Sequence, residues 1–100
     1  MPVTTAVSPD QKCVTIGING RFDFSLHREF REAYRQHQGI PDFVVNLSGT
    51  EYLDSSALGM LLLLREHAEL SRGSVVLRDP PAGVRKVLSI ANFEKLFRIE

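Results

Sequence analysis

Three consecutive polar residues, Asp54-Ser55-Ser56, stand directly before the apolar run 57–64. Asp and Ser are preferred at a helix N-cap, because their side-chain oxygens accept from backbone N–H groups that lack an intrahelical partner. The same position offers a second chemistry. A helix N-terminus presents free N–H donors and the positive end of the helix dipole, which suits a phosphate, so one of the hydroxyls could be a site of modification. The pattern admits both roles and does not choose between them.

Other reactive groupings find little support. Gly-x-Ser-x-Gly is absent, so no nucleophile elbow is predicted. His27, His37 and His67 are scattered over helical segments with polar neighbours and read as exposed surface histidines. No Cys/His or His/Glu spacing suits a metal, and no glycine-rich loop suits a phosphate or dinucleotide. Glu51 and Asp54 could pair for acid–base work, but their setting reads as loop polarity. The sequence predicts no catalytic residue, no cofactor and no metal.

Length and composition narrow the class. One hundred residues make one small domain, 1–100, with a single core. Twelve basic and twelve acidic residues cancel, and no basic stripe marks a nucleic-acid binder. The one cysteine, Cys13, has no internal partner and sits in an apolar strand pattern, as a small buried side chain does. The run 57–64 is far short of the ~20 residues of a membrane span, and no signal-peptide core follows Met1. A cytoplasmic protein with no direct membrane insertion is expected.

The elements that must position Asp54-Ser55-Ser56 follow in chain order. Val3–Val7 and Cys13–Ile18 flank the turn cluster Ser8-Pro9-Asp10 and read as an antiparallel hairpin. Phe22 and Phe24 read as core anchors about a loop, with Asp23 pointing outward. Ser25 is the expected cap of a first helix over 26–38, whose Leu26, Phe30, Ala33 and Tyr34 share one face and whose Arg28/Glu32 make an i,i+4 pair. Gly39 closes it. The run 43–47 reads as a central strand covered on both faces. Residues 48–51 are the loop leading to the organising stretch 52–70, a helix entered through the capping trio 54–56, whose apolar block is expected to be buried all round. A strand over 74–78 and a third helix, capped by Asp79 with Pro80 at its first position, complete the order β-β-α-β-α-β-α. Such an order predicts an α/β fold, a small mostly parallel sheet with an antiparallel N-terminal strand, packed with about three to four helices. Functional loops of such sheets gather at the carboxyl ends of the strands. A patch from Arg21, Asp23, Ser48, Thr50, Glu51, Ser55 and Ser56 is therefore expected, with Asp54 beside it.

The stretch DFVVNLSGTEYLDSSALGMLLLL resembles the centre of a STAS domain, the family of bacterial anti-sigma factor antagonists. In that family a strand and polar loop run into Asp-Ser-Ser or Asp-Ser-Thr, then Gly-Leu-Gly and an apolar helix. The resemblance extends through Gly20-Arg21-Phe22-Asp23 and Asn92-Phe93-Glu94-Lys95-Leu96-Phe97 and so covers nearly the whole chain. Ala57 departs from the glycine of better-known members and should firm the first helical turn. The family's phosphorylated residue directly follows the Asp, which carries that role to Ser55. The resemblance implies a STAS fold and a phosphorylation-switched binding module. Its implied partners are an anti-sigma factor with a histidine-kinase-like ATPase fold, which phosphorylates Ser55, and a serine phosphatase that restores the binding form. Two rivals within the fold are a subunit of a membrane transporter complex and a sensor of a nucleotide or small ligand. Retention of Asp54-Ser55 favours the switch over the first, and the lack of a phosphate-cradling loop tells against the second.

Overall fold

The structure, a computed structural model, describes residues 2–100. Its main sheet has five strands in the order β1-β2-β4-β6-β7: β1 (Val3–Val7), β2 (Cys13–Ile18), β4 (Asp42–Asn46), β6 (Val75–Arg78) and β7 (Arg98–Ile99). The first pair is antiparallel and the rest are parallel, as the alternation of strands and helices predicts. Two short strands, β3 (Gly20–Phe22) and β5 (Thr50–Leu53), form a separate parallel pair. The helices are α1 (His27–Arg35), α2 (Ser55–Leu70) and α3 (Ala82–Ile90). Among the described residues no helix is long and apolar enough to cross a membrane.

Period-two alternation builds the core. Val14, Ile16 and Ile18 of β2, Phe43 and Val45 of β4, and Val75 and Leu77 of β6 project to one face. There they meet Phe30, Ala33 and Tyr34 of α1, Ala57, Met60, Leu61, Leu64 and Ala68 of α2, and Val84 and Leu88 of α3. The intervening residues Cys13, Thr15, Gly17, Asp42, Asn46 and Val76 are half-buried and lie outside this cluster. Val44 on β4 is the exception: it is 8% exposed although it lies outside this cluster, so β4 is shielded on both faces at its centre, while the helices share a single side of the sheet. Cys13 is only half-buried, and that burial, ahead of the Asp42 charge, raises its thiol pKa.

Several expected boundaries move, each for a local reason. Asp23, not Ser25, starts the first helical segment: its carboxylate accepts from the Ser25 N–H and opens a single 3-10 turn, Phe24–Leu26, ahead of α1. Phe24 sits on that turn 64% exposed and is no core anchor. α1 ends at Arg35, before Gly39, whose φ of +87° instead serves a later turn. The Arg28/Glu32 pair does not form; among the described residues the i,i+4 ion pair is Arg65–Glu69 at 3.0 Å. α3 begins after Pro81 rather than at Pro80, because a residue that precedes proline is pushed out of the helical region. Asp79 caps nothing there: it has φ +55° and donates its N–H to the Glu100 carbonyl at 2.9 Å.

The apolar block of α2 is not buried all round. Leu61 and Leu64 are fully enclosed, whereas Leu62 is 38% and Leu63 54% exposed. The helix packs on one side only, so leucines a few residues apart have opposite fates. Gly73 permits the return from α2 to β6, since a Cβ there would run into the Pro41 carbonyl at 1.5 Å. His67 also departs from the expected surface placement. Half-buried, it packs against the rings of Tyr34 at 4.9 Å and Phe43 at 5.7 Å.

Candidate functional site

The parallel pairing of β3 with β5 fixes where the polar trio stands. Phe22 lies beside Leu53, and the Asp54 N–H donates to the Phe22 carbonyl at 3.4 Å. Asp54 has extended backbone, φ −112° and ψ −175°, and its side chain caps α2 by accepting from the Ala57 N–H at 3.0 Å. The same oxygen, Oδ1, accepts from the Ser56 hydroxyl at 2.6 Å. That hydroxyl bond is the main reason the Asp54 carboxyl lies below its ordinary pKa; the Ala57 N–H adds to it, while desolvation and the Asp23 charge oppose it.

Ser55 and Ser56 thereby acquire different fates. Ser56 is half-buried and held by Asp54. Ser55, the first residue of α2, is exposed, and its side chain has no hydrogen-bond partner among the described residues. Both capping and an available hydroxyl coexist here, divided between neighbouring side chains.

Asp23 makes a second cap beside the first. Its Oδ1 accepts from the Ser25 hydroxyl at 2.5 Å and from the Ser25 N–H at 3.0 Å, and the hydroxyl bond leads in lowering its pKa. Arg21 pairs with Asp23 at 3.6 Å and lies 4.1 Å above the ring centre of Tyr52, a cation–π contact across the β3–β5 pair. The exposed Phe24 ring stacks on His27, with centroids 4.4 Å apart and planes 7° from parallel.

The structure gathers Arg21, Asp23, Asp54, Ser55 and Ser56 where β3 and β5 end. Glu51 is exposed along β5. Ser48 is exposed too, but it precedes β5, so the length of that strand, roughly 10 Å, separates it from Asp54. Thr50 does not belong to the surface. It is 1% exposed, and its hydroxyl donates to the Ile18 carbonyl at 2.9 Å, fastening β5 to β2. The sequence predicts a loop over 48–51 because four residues carry too little periodicity to mark a strand.

Two aromatic residues, Phe24 and Tyr52, are surface groups that the sequence pattern does not predict. The Asp-x-Ser sequence at Asp23-Phe24-Ser25 is an Asx-turn signature, and such a turn breaks the alternation that would otherwise carry Phe24 inward. Tyr52 lies between exposed Glu51 and buried Leu53 on β5, whose two middle residues are both exposed, and it is 42% exposed itself. Among the described residues no group of three His, Cys, Asp or Glu side chains is placed to hold a metal ion.

Known proteins share this fold. Residues 5–98 match the family model described as "Mlab, STAS domain". A STAS-domain containing protein of Pseudomonas aeruginosa strain UCBPP-PA14 is 49% identical over 100 residues, covering 99% of both chains. A Thermotoga maritima protein, provisionally described as an anti-sigma factor antagonist, superposes with a TM-score of 0.85 at 22% identity, covering 97% of this chain and 84% of its own. The anti-sigma factor antagonist SpoIIAA in its unphosphorylated form superposes with a TM-score of 0.84 at 19% identity over 98% of this chain and 87% of its own. Its phosphorylated form from Bacillus gives 0.69 at 19% identity, over 98% and 90% of the two chains. At these identities the solved structures establish a common fold.

Proposed function

Because the chain belongs to the STAS domain family, we propose that it is an anti-sigma factor antagonist, a protein-binding module switched by phosphorylation of Ser55. The unphosphorylated form sequesters an anti-sigma factor in the cytoplasm, one with a histidine-kinase-like ATPase fold. The bound kinase transfers the γ-phosphoryl group of ATP to Ser55 Oγ, ADP leaves, and the complex dissociates. A serine phosphatase restores the binding form. The observation that carries this reading is the contrast between the free, exposed Ser55 hydroxyl and the Ser56 hydroxyl held by Asp54.

Charge supplies the switch. A phosphate adds about −1.5 to −2 charges beside Asp54 and Asp23. Arg21, the nearby cation, is already engaged with Asp23 and Tyr52. The added anion meets the positive end of α2, so the domain tolerates it while a docked partner must desolvate it. Exposed Phe24 and Tyr52 provide apolar area for docking around Ser55, with Arg21, Asp23, Glu51, Asp54 and Ser56 contributing polar contacts and Ser48 lying at the margin.

The test uses the wild-type chain, Ser55→Ala and Ser55→Asp as baits in the native extract, with the captured proteins quantified by mass spectrometry. An ATP-binding partner retained by Ser55→Ala and lost by Ser55→Asp is expected. That partner, purified and given ATP, should place phosphate on Ser55 and leave Ser56 unmodified. Capture of a membrane transporter complex indifferent to both substitutions would replace this reading with that of a transporter subunit. Binding of a nucleotide by the isolated domain would favour a sensor.

A further inference from the structure

We propose that β1 is a pairing edge through which two copies of this chain associate, forming one continuous antiparallel sheet across a two-fold axis at Thr5. β1 is the terminal strand of the main sheet. The Ser8 N–H donates to the Cys13 carbonyl and the Asn19 N–H donates to the Pro2 carbonyl, each at 2.9 Å. In an antiparallel ladder the groups alternate, so residues 2, 4, 6 and 8 turn their backbone toward β2. Val3, Thr5 and Val7 therefore direct their N–H and C=O groups away from the sheet, where no strand receives them.

Natural edge strands are usually blunted by charge, proline or a bulge. The stretch Val3-Thr4-Thr5-Ala6-Val7 carries none of these, and β1 pairs with β2 in unbroken register. The side chains select a second copy as the occupant. The stretch is nearly palindromic about Thr5, so antiparallel pairing centred there sets Thr5 against the partner's Thr5 and Val3 against the partner's Val7. The outward backbone groups of these residues then satisfy one another. Val7, 40% exposed in the single chain, gains the half-buried Val3 as a cross-strand neighbour, and Thr4 meets only the small Ala6.

The strand is neutral, so two copies approach without repulsion along the ladder itself. Above it, Glu29 and Glu32 of α1 line a groove with Val3 and Thr5, and neither carboxylate has an ion-pair partner among the described residues. Two such grooves meet at the axis, so association strengthens as salt screens them. A five-residue edge buries less than the ~1,200 Å² of a standard stable interface, which makes the dimer weak and concentration-dependent. β1 supplies none of the side chains around Ser55, so this inference stands apart from the switch.

Site-specific cross-linking tests the register in a Cys13→Ser background. Opposed residues of a hydrogen-bonded antiparallel pair have Cα atoms about 5.5 Å apart, inside the range of a disulfide. Mild oxidation of Thr5→Cys at high protein concentration should yield a disulfide dimer. Thr4→Cys, facing Ala6 rather than itself, should remain monomeric. Sedimentation velocity of the wild type should show a dimer fraction that grows with concentration and with salt. Thr5→Pro removes an outward N–H that β2 does not use, so the fold is kept by circular dichroism while dimerisation weakens about tenfold or more. A wild type that stays monomeric up to its solubility limit would overturn the proposal. So would equal cross-linking of the two cysteine variants, or a dimer unaffected by a folded Thr5→Pro.

Discussion

The Ser56 hydroxyl donates to Asp54 Oδ1 at 2.6 Å, and the same oxygen accepts from the Ala57 N–H at 3.0 Å. One carboxylate oxygen thus closes the first turn of α2 and immobilises one of two adjacent serines. Replacing Asp54 by Ala should lower stability by about 0.5–2 kcal/mol, the usual cost of a lost N-cap. Ser55→Ala should leave the melt nearly unchanged, because that hydroxyl has no hydrogen-bond partner among the described residues. The Asp54 pKa is depressed in the folded state, so its contribution is fully present above the unfolded value of about 3.9 and is lost as pH falls through the folded one. Ser56→Ala should raise the folded pKa toward the ordinary value and shrink that acid-side loss. A carboxylate NMR titration of both proteins reads the change directly.

Leu61 and Leu62 separate packing from composition. Leu61 is fully buried, and Leu61→Ala should cost about 2–5 kcal/mol through lost burial and the cavity left behind. Leu62 is 38% exposed, and Leu62→Asp should cost under about 1 kcal/mol. Urea unfolding curves of the two variants decide the matter. A Leu62→Asp variant that unfolds outright would mean that α2 is enclosed on its outer side as well.

This pair also marks the limit of what the sequence disclosed. The β-branched runs at β2, β4 and β6, and the helix-forming residues with a capping Asp at α2, lie in local chemistry and were legible. The inward side of α2 was not, because leucines surround residues 61–64 and only the position of the sheet decides which are covered. Thr50 was hidden for a similar reason: its partner, the Ile18 carbonyl, is 32 residues away. β3 and β5 are too short for a period to show. At the site, Asp54 and Ser55 were readable from type and order, whereas Phe24 and Tyr52 needed the β3–β5 pairing to reveal their exposure.

Thr50 gives a further prediction from its burial. Thr50→Val keeps the shape but removes the donor to Ile18, and should cost about 1–2 kcal/mol. Since the side chain is enclosed, binding of the partner through the Ser55 surface should be unaffected once the variant is folded. Calorimetric titration of wild type and Thr50→Val against that partner checks this. A binding loss exceeding the loss of folded protein would put Thr50 back among the contact residues.

His67 makes the stability of the α1–α2 packing depend on pH. Burial against Tyr34 and Phe43, followed by the Arg35 charge, lowers its pKa below the ordinary value of about 6.5. The charged groups around its cleft are Arg31, Arg35 and Glu66, and Glu66 does not offset the burial. The folded state therefore takes up the proton less readily than the unfolded chain. Its stability is undiminished above pH 6.5 and declines as pH falls from there through the lower folded value, below which the loss levels off. His67→Phe keeps an aromatic ring in contact with Tyr34 and Phe43 and removes the titration. Thermal melts at pH 7.5 and 5.5 should show a larger drop for the wild type than for His67→Phe. Equal drops in the two proteins would assign the acid sensitivity to groups elsewhere in the fold.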